Sequence, residues 1–270
     1  MLSIICPCYN SETHIVRLSD SLLSQIETTK PYEIIFIDDG SSDRTLELLH
    51  SHSILFKNKN IDIKIITQSH KGPGSARNLG IKNSKYEYIA FIDSDDIWYK
   101  NKINETINII TKYGNEYNTF VHDEIYKKSN GESLKITSGI LISQNVSESL
   151  YKRNCLSTSA TIISKKILVD TGGFDESLMS SQDYDLWLKI SSKMKLYKIN
   201  KVLGEYIESE NSITSKYYLY RCFDQLKIAI RYKNFVNFHI FLIKVLKIIF
   251  SKQWIYGLSN IFTNKKGHNY

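Results

Sequence analysis

The first hundred residues repeat one pattern four times: a short, nearly continuous apolar run, then a polar loop, then a stretch with helical spacing. The runs are "LSIICPCY", "YEIIFID", "DIKIITQ" and "YEYIAFID". Between them, "SETHIVRLSDSLLSQI" places Ile15, Leu18, Leu22 and Ile26 at helical spacing. "DRTLELLHSHS" reads as a helix, and "GPGSARNLGIKNS" as a turn leading into one. Strands without polar alternation are buried on both faces, and strands joined through helices run parallel. The pattern predicts an α/β fold with a mostly parallel sheet flanked by helices. At 270 residues and 42% hydrophobic content, the chain can bury one large core, with or without an appendage.

Ligands of such sheets sit beyond the carboxyl ends of the strands. Four polar clusters follow the four runs: Pro7 to Asn10, Asp38 to Asp43, His70 to Gly74, and Asp93 to Asp96. They are expected to meet on one rim. After residue 100 the pattern loosens. "NTFVHDEIYKK" reads as a strand, "SATIISKKILVDTGGFDE" as a strand and short helix, and "SQDYDLWLKISS" as the start of a helix.

Each cluster has a chemical reading and a plainer one. Asp93-Ser94-Asp95 crowds carboxylates at a strand end, which suits a hard cation such as Mg²⁺ or Mn²⁺ with substrate phosphates completing its shell. The plainer reading is a turn in which Asp96 caps a helix. Asp38-Asp39-Gly40-Ser41 can accept from a nucleoside, or form an Asp-Gly turn. Gly72-Pro73-Gly74 allows close backbone approach and brings Arg77 toward a nucleotide, but lacks the Gly-Lys-Ser/Thr of a P-loop. Asp183, in "QDYDLWLK", suits a general base or a helix N-cap. His70 reads as an exposed loop histidine.

Together, "LSIICPCYNSE", "EIIFIDDGSSDRT", "GPGSARNLGI", "YIAFIDSDDIW", "TGGFDE" and "QDYDLWLK" resemble family 2 of the inverting glycosyltransferases with the GT-A fold, over roughly residues 1–190. "ENSIT" at 210–214 is a further echo. The resemblance implies a Rossmann-like GT-A domain over 1–215, with its nucleotide-binding part at about 1–100 and its acceptor part at about 101–215. It implies that Asp39 and Arg77 hold the nucleotide base above Pro7 and Tyr9, with Asp38 assisting. Asp95 would ligate Mg²⁺ or Mn²⁺, with Asp93 near the metal and ribose. Asp183 would be the catalytic base, and Gly173, Phe174 and Gln182 would form the acceptor side. The implied activity moves a sugar from a UDP-hexose or UDP-N-acetylhexosamine to a glycan or lipid-linked hydroxyl, forming a β-linkage, in surface polysaccharide or lipopolysaccharide synthesis. Three positions, in two places, depart from the family pattern. Gln182 stands where a Glu is usual, and Ile207 and Ser209 stand where an Arg and a His are usual, which leaves a third metal ligand unassigned. A phosphotransferase with an Asp nucleophile and a non-catalytic nucleotide-sugar-binding module are the competing readings.

Residues 216–270 hold ten Lys/Arg against Asp224, a local charge of +9. The first 215 residues carry 25 basic and 27 acidic groups. This distribution argues against a nucleic-acid-binding body and for a basic tail with its own partner. A helical wheel puts Lys233, Asn237, Lys244, Lys247 and Ser251 on one stripe. Phe238, Phe241, Leu242, Val245, Leu246 and Ile249 lie opposite. Residues 238–250 cover about 20 Å at 1.5 Å per residue, short of the roughly 30 Å of a bilayer core. The expectation is an in-plane amphipathic helix on an anionic membrane surface. It would attach the protein peripherally to the cytoplasmic face of the plasma membrane. Packing on the body is the alternative, and a homo-oligomer is left open. Cys6, Cys8, Cys155 and Cys222 show no metal spacing and read as reduced thiols of a cytosolic protein. Met1 runs directly into the first strand, so no signal peptide is expected.

Overall fold

The structure, a computed structural model, describes residues 1–138, 145–208 and 218–251. The expected Ser209, the "ENSIT" stretch at 210–214 and the tail beyond 251 lie outside the described residues. The elements run β1 (Leu2–Cys8), α1 (Glu12–Leu23), β2 (Tyr32–Asp38), α2 (Thr45–Asn58), β3 (Asp62–Thr67), α3 (Pro73–Asn83), β4 (Tyr88–Phe91), β5 (Ile97–Trp98), α4 (Lys102–Tyr113), β6 (Thr119–Lys127), β7 (Ser133–Ile136), α5 (Val146–Lys152), β8 (Thr161–Ser164), α6 (Lys165–Asp170), α7 (Gln182–Ile190), β9 (Leu196–Ile207), α8 (Tyr218–Arg231) and α9 (Phe238–Ile249).

The sheet order is β3-β2-β1-β4-β8-β6-β9-β5, with β7 paired to β6. The first four strands are parallel, as their helical connections require. β8 then enters antiparallel between β4 and β6, so the second half of the sheet is mixed. Alternation along each buried strand sends side chains into two cores. Ile4, Cys6, Ile34 and Phe36 meet Ile15, Leu18, Leu22, Phe56 and Ile107 of α1, α2 and α4. Ile5, Ile35, Ile37 and Phe91 face the other way, toward α3, α6, α7 and the C-terminal helices. Cys6 and Cys8 share the first face, 3.8 Å apart and unbridged.

α1 stops at Leu23, and Ile26 is exposed rather than on its buried face. The cause is Gln25, whose amide donates to the carbonyls of Ser21 and Tyr99 and accepts from the Ile103 N–H. The chain is thus drawn off the helix axis toward α4. β9, twelve residues long, is the largest element that the sequence pattern did not signal.

The C-terminal helices share the core. Cys222, Ile228 and Ala229 of α8 are fully buried, and Ile248 of α9 nearly so, all within the cluster that holds α7. Their packing faces are apolar, but the lysine stripe is not turned to solvent as a unit. The Lys244 Nζ donates to the Tyr151 carbonyl at 2.6 Å and the Tyr184 hydroxyl at 2.8 Å. It also lies 5.0 and 4.9 Å from the centroids of those two rings. Phe238, Leu242, Leu246 and Phe250, one helical turn apart, point outward, at 68%, 42%, 42% and 71% exposure. No helix among the described residues is long and apolar enough to cross a membrane.

Candidate active site

The four strand-end clusters do meet. Ser11, after β1, receives the Ser94 hydroxyl contact at 2.9 Å and donates its N–H to Thr45 at 2.7 Å. Asn10 accepts from the Ser42 N–H at 2.8 Å. Pro7 is tolerated inside β1 because the strand has outrun β4 there: the last β1–β4 pair is Ile5–Phe91. The flank that would need its N–H carries no ladder.

Asp38 and Asp39 have different tasks. Asp39 is 2% exposed and accepts from Gln68 Nε2 (2.6 Å), Lys71 N–H (2.9 Å) and Gly72 N–H (2.8 Å). His70 Nδ1 lies 2.9 Å from its Oδ2. The three hydrogen bonds take up most of the acceptor capacity of the carboxylate, and His70 Nδ1 pairs with the Asp39 backbone carbonyl at 3.2 Å. Asp39 therefore folds the 68–72 loop from beneath, rather than offering a free edge to a base as expected. Asp38 accepts from the Ser41 N–H, while its buried Oδ1 has no partner among the described residues. That orphaned oxygen calls for a ligand donor. Gly40, at φ +73°, is required here, since a Cβ would sit 2.8 Å from the His70 nitrogen. His70 is also not a bystander. Its ring stacks on Tyr9 with centroids 3.9 Å apart. The signal was the polar "HKGPG" after the third strand.

Arg77, on α3, is 7% exposed and donates to Asp93 Oδ1 at 2.6 Å. Asp95 is half-buried. Burial, then the adjacent Asp93 charge, push its carboxyl up to about 6 against the pull of Arg17 and Arg77. No hydrogen bond from another described residue reaches the Asp95 carboxylate; Arg17 binds its backbone carbonyl instead. A half-buried carboxylate without a donor, beside a second one, fits a divalent cation. No group of three or more metal-type side chains gathers among the described residues. Asp93 and Asp95 are two neighbouring carboxylates, a donor set that fits Mg²⁺ when phosphate and water complete the shell. Asp96 is no helix cap. It is buried and accepts from the Ser159 hydroxyl at 2.5 Å and the Ile207 N–H at 3.1 Å. Ser159 also receives the Asp93 N–H at 3.1 Å. It thereby anchors the acidic loop from β8, a role no local motif announces.

Asp183 lies in the first turn of α7, after Ser181 at φ +54°. A non-glycine residue in that region stores on the order of 1–3 kcal/mol, and such strain gathers at functional sites. Burial raises the Asp183 carboxyl above its usual range, opposed by the Tyr184 N–H, the Arg77 charge and Asn154, and assisted by Asp93. Asn154 Nδ2 donates to it at 3.3 Å. Asp183 opens into a cavity of about 600 Å³ between α7, α8 and α9.

The three residues expected on the acceptor side are placed otherwise. Phe174 is 2% exposed, edge-on to Phe91 and 5.3 Å from the Arg77 guanidinium. Gln182 is 5% exposed, donates to the Leu178 carbonyl and lies 3.2 Å from where a Gly74 Cβ would be. Gly173, at φ +66°, lets Asn78 approach and bond both backbone groups of Phe174. All three are buried, Phe174 beneath Arg77, Gly173 against Asn78 and Gln182 beside Gly74, and present little or no surface. For Gly173 and Phe174 the reason is that "TGGFDE" closes onto Asn78 of α3.

The family model for glycosyl transferase family 2 matches residues 3–172. An uncharacterized glycosyltransferase of Rickettsia felis is 35% identical over 206 residues, 76% of this chain and 32% of that protein. The chain thus spans about a third of the length of the first curated relatives it matches. Escherichia coli WfgD, named UDP-Glc:alpha-D-GlcNAc-diphosphoundecaprenol beta-1,3-glucosyltransferase, is 31% identical over 228 residues, 80% of each chain. The S. aureus TarS 1–349 structure with UDP-GlcNAc shares the fold, with a TM-score of 0.72. It is 22% identical and covers 96% of this chain and 80% of that one.

Proposed function

The chain belongs to glycosyl transferase family 2, and we propose that it moves a sugar from a UDP-hexose or UDP-N-acetylhexosamine to a hydroxyl of a glycan or lipid-linked oligosaccharide. The reaction inverts the anomeric carbon to a β-linkage, in surface polysaccharide or lipopolysaccharide synthesis. The observation that carries the reading is Asp183. It is a carboxylate of raised proton affinity that faces a cavity and feels both Arg77 and Asp93 of the acidic rim. The names of WfgD and of the TarS complex support a UDP-sugar.

In this reading Pro7, Tyr9 and the unpartnered oxygen of Asp38 receive the nucleoside, over a loop that Asp39 and His70 hold in shape. Arg77 sets the position of Asp93. Asp183 takes the proton of the acceptor hydroxyl as that oxygen bonds to the anomeric carbon. The bond from that carbon to the diphosphate breaks on the opposite face, and UDP departs. Asp95 and Asp93 would hold Mg²⁺ or Mn²⁺, which supplies positive charge to the departing diphosphate. The outward row of Phe238, Leu242, Leu246 and Phe250 supports peripheral attachment to the cytoplasmic face of the plasma membrane.

The test is a panel of UDP-, GDP- and CMP-sugars, read by Mn²⁺-dependent thermal stabilisation and by transfer of labelled sugar. Stabilisation by UDP-sugars and transfer from one of them is the expected result. Response to GDP- or CMP-sugars alone would overturn the donor assignment, and a covalent phospho-aspartate would favour phosphotransfer.

A further inference from the structure

The cavity at Asp183 is strongly cationic. Arg153 from the end of α5, Arg221 from α8, and Lys244 and Lys247 from α9 line it with Lys152 and Tyr184, and Asp183 is the only acid among the described residues of its wall. Among the described residues, no ion pair joins Arg153, Arg221 or Lys247 to a carboxylate. The nearby Lys152 is already held by Glu148 at 2.6 Å. Lys244 is fixed in place by the Tyr151 carbonyl and the Tyr184 hydroxyl. Burial, and then the Lys247 charge, push it down to about 8. Arg221 and Lys244 are half-buried, while Arg153 and Lys247 reach solvent at the rim. Cations gathered this closely repel one another unless an anion is present. Three separate elements supply them, so this is not the face of one helix.

We propose that this cavity binds the diphosphate of the acceptor, while the acceptor hydroxyl is presented to Asp183. The assignment rests on Asp183 as the base. Two arginines suit phosphate oxygens because the guanidinium fork donates two hydrogen bonds in one plane, and the lysines add point charge. Ile240, Ile243 and Ile248 line the same cavity. Ile243 is 52% exposed, so it joins the cavity to the outward apolar face of α9. An apolar chain attached to the diphosphate would leave the cavity along that face, toward the membrane. The charged stripe and apolar face of α9 then have separate tasks, the first on the headgroup of the acceptor and the second on the bilayer.

The experiment measures binding of decyl diphosphate to the full-length protein in EDTA, which removes the metal that the donor diphosphate would need. Decanol serves as the uncharged control, and UDP as competitor. The wild type is expected to bind decyl diphosphate and not decanol, with no displacement by UDP. Arg221→Gln with Lys247→Gln is expected to weaken binding on the order of tenfold per residue. Arg153→Gln, at an exposed position, is the second variant, and unchanged melting temperatures establish that each variant folds. Displacement by UDP, or variants that bind as well as the wild type, would overturn the proposal. If the variants lose affinity only for phosphatidylglycerol vesicles, the cations serve bulk lipid headgroups and the proposal also fails. UDP binding with Mn²⁺ is measured in parallel. Its absence beside intact decyl diphosphate binding would sink the donor reading and leave the cavity assignment standing.

Discussion

Arg231 donates to Asp185 at 2.5 Å across 46 positions of chain, and its second nitrogen reaches Asp175 at 2.8 Å. Asp185 is fully buried two residues after Asp183. The end of α8 therefore braces the turn of α7 that carries the candidate base. Arg231→Gln should destabilise the fold by about 1.5–3 kcal/mol, since it leaves a buried carboxylate only the Tyr232 hydroxyl at 3.1 Å and Lys189 at 3.7 Å. Arg231→Gln with Asp185→Asn should cost less than the single change, because the under-compensated charge is then gone. Urea denaturation of the four members of the cycle measures both.

Cutting the chain after residue 215 should not yield a stable donor-binding domain. It removes Ile228 and Ile248, among other buried side chains, and each buried isoleucine is worth about 1.5–3 kcal/mol. Far-UV circular dichroism and protease resistance of the truncated chain check this. A soluble, folded 1–215 fragment that binds UDP would show that α8 and α9 are dispensable.

Asp183→Asn should lower transfer on the order of 10²–10⁴-fold, with UDP affinity unchanged. Because burial raises the Asp183 carboxyl, the base form is lost as pH falls through a value above the ordinary 3.8. The wild-type rate should rise with pH through that value, and the residual activity of the variant should lack the step. A pH–rate profile on both proteins reads the difference.

Asp95→Asn should abolish Mn²⁺-dependent stabilisation by UDP while leaving the melting temperature of the free protein unchanged or higher, since burial and Asp93 disfavour its charge. Differential scanning fluorimetry with and without EDTA decides. Full transfer by the wild type in excess EDTA would count against a metal at this site.

Lys244 titrates near 8 in the fold against 10.5 unperturbed. Between those values the unfolded chain holds the proton and the folded chain does not, so stability should rise with pH across that window. Lys244→Gln should flatten the rise, as read by urea midpoints at pH 7.5 and 9.5.

Phe238→Ser with Leu242→Ser and Leu246→Ser should weaken co-sedimentation with anionic vesicles and leave UDP binding intact, since all three side chains are exposed. Binding by the wild type should weaken with added salt, as screening shortens below ~10 Å above 0.1 M. A wild type that stays in the supernatant at low salt would remove the membrane reading.

Local pattern was enough for the first half of the sheet, the rim at its carboxyl ends, and the family. These are local matters: unbroken apolar runs force burial on both faces, and Gly40 and the Gly72-Pro73 pair mark where the chain must turn. That Asp93 and Asp95 follow the fourth strand and Asp183 opens a helix was legible for the same reason. Which polar atoms remain unsatisfied depends on contacts between elements far apart in the chain. Asp38 and Asp39 are adjacent and chemically identical, yet the Gln68, Lys71 and Gly72 donors bind one and leave an oxygen of the other bare. Phe174 sits in a family motif but packs inward, because "TGGFDE" folds onto Asn78 across 96 positions of chain, and Gln182 turns inward onto the Leu178 carbonyl. The helical wheel of α9 separated its lysines from its apolar residues correctly, but a wheel has no neighbour. Tyr151 and Tyr184 turn Lys244 inward and leave Phe238 and Phe250 outside, because the rotation of a helix is fixed by what it packs against.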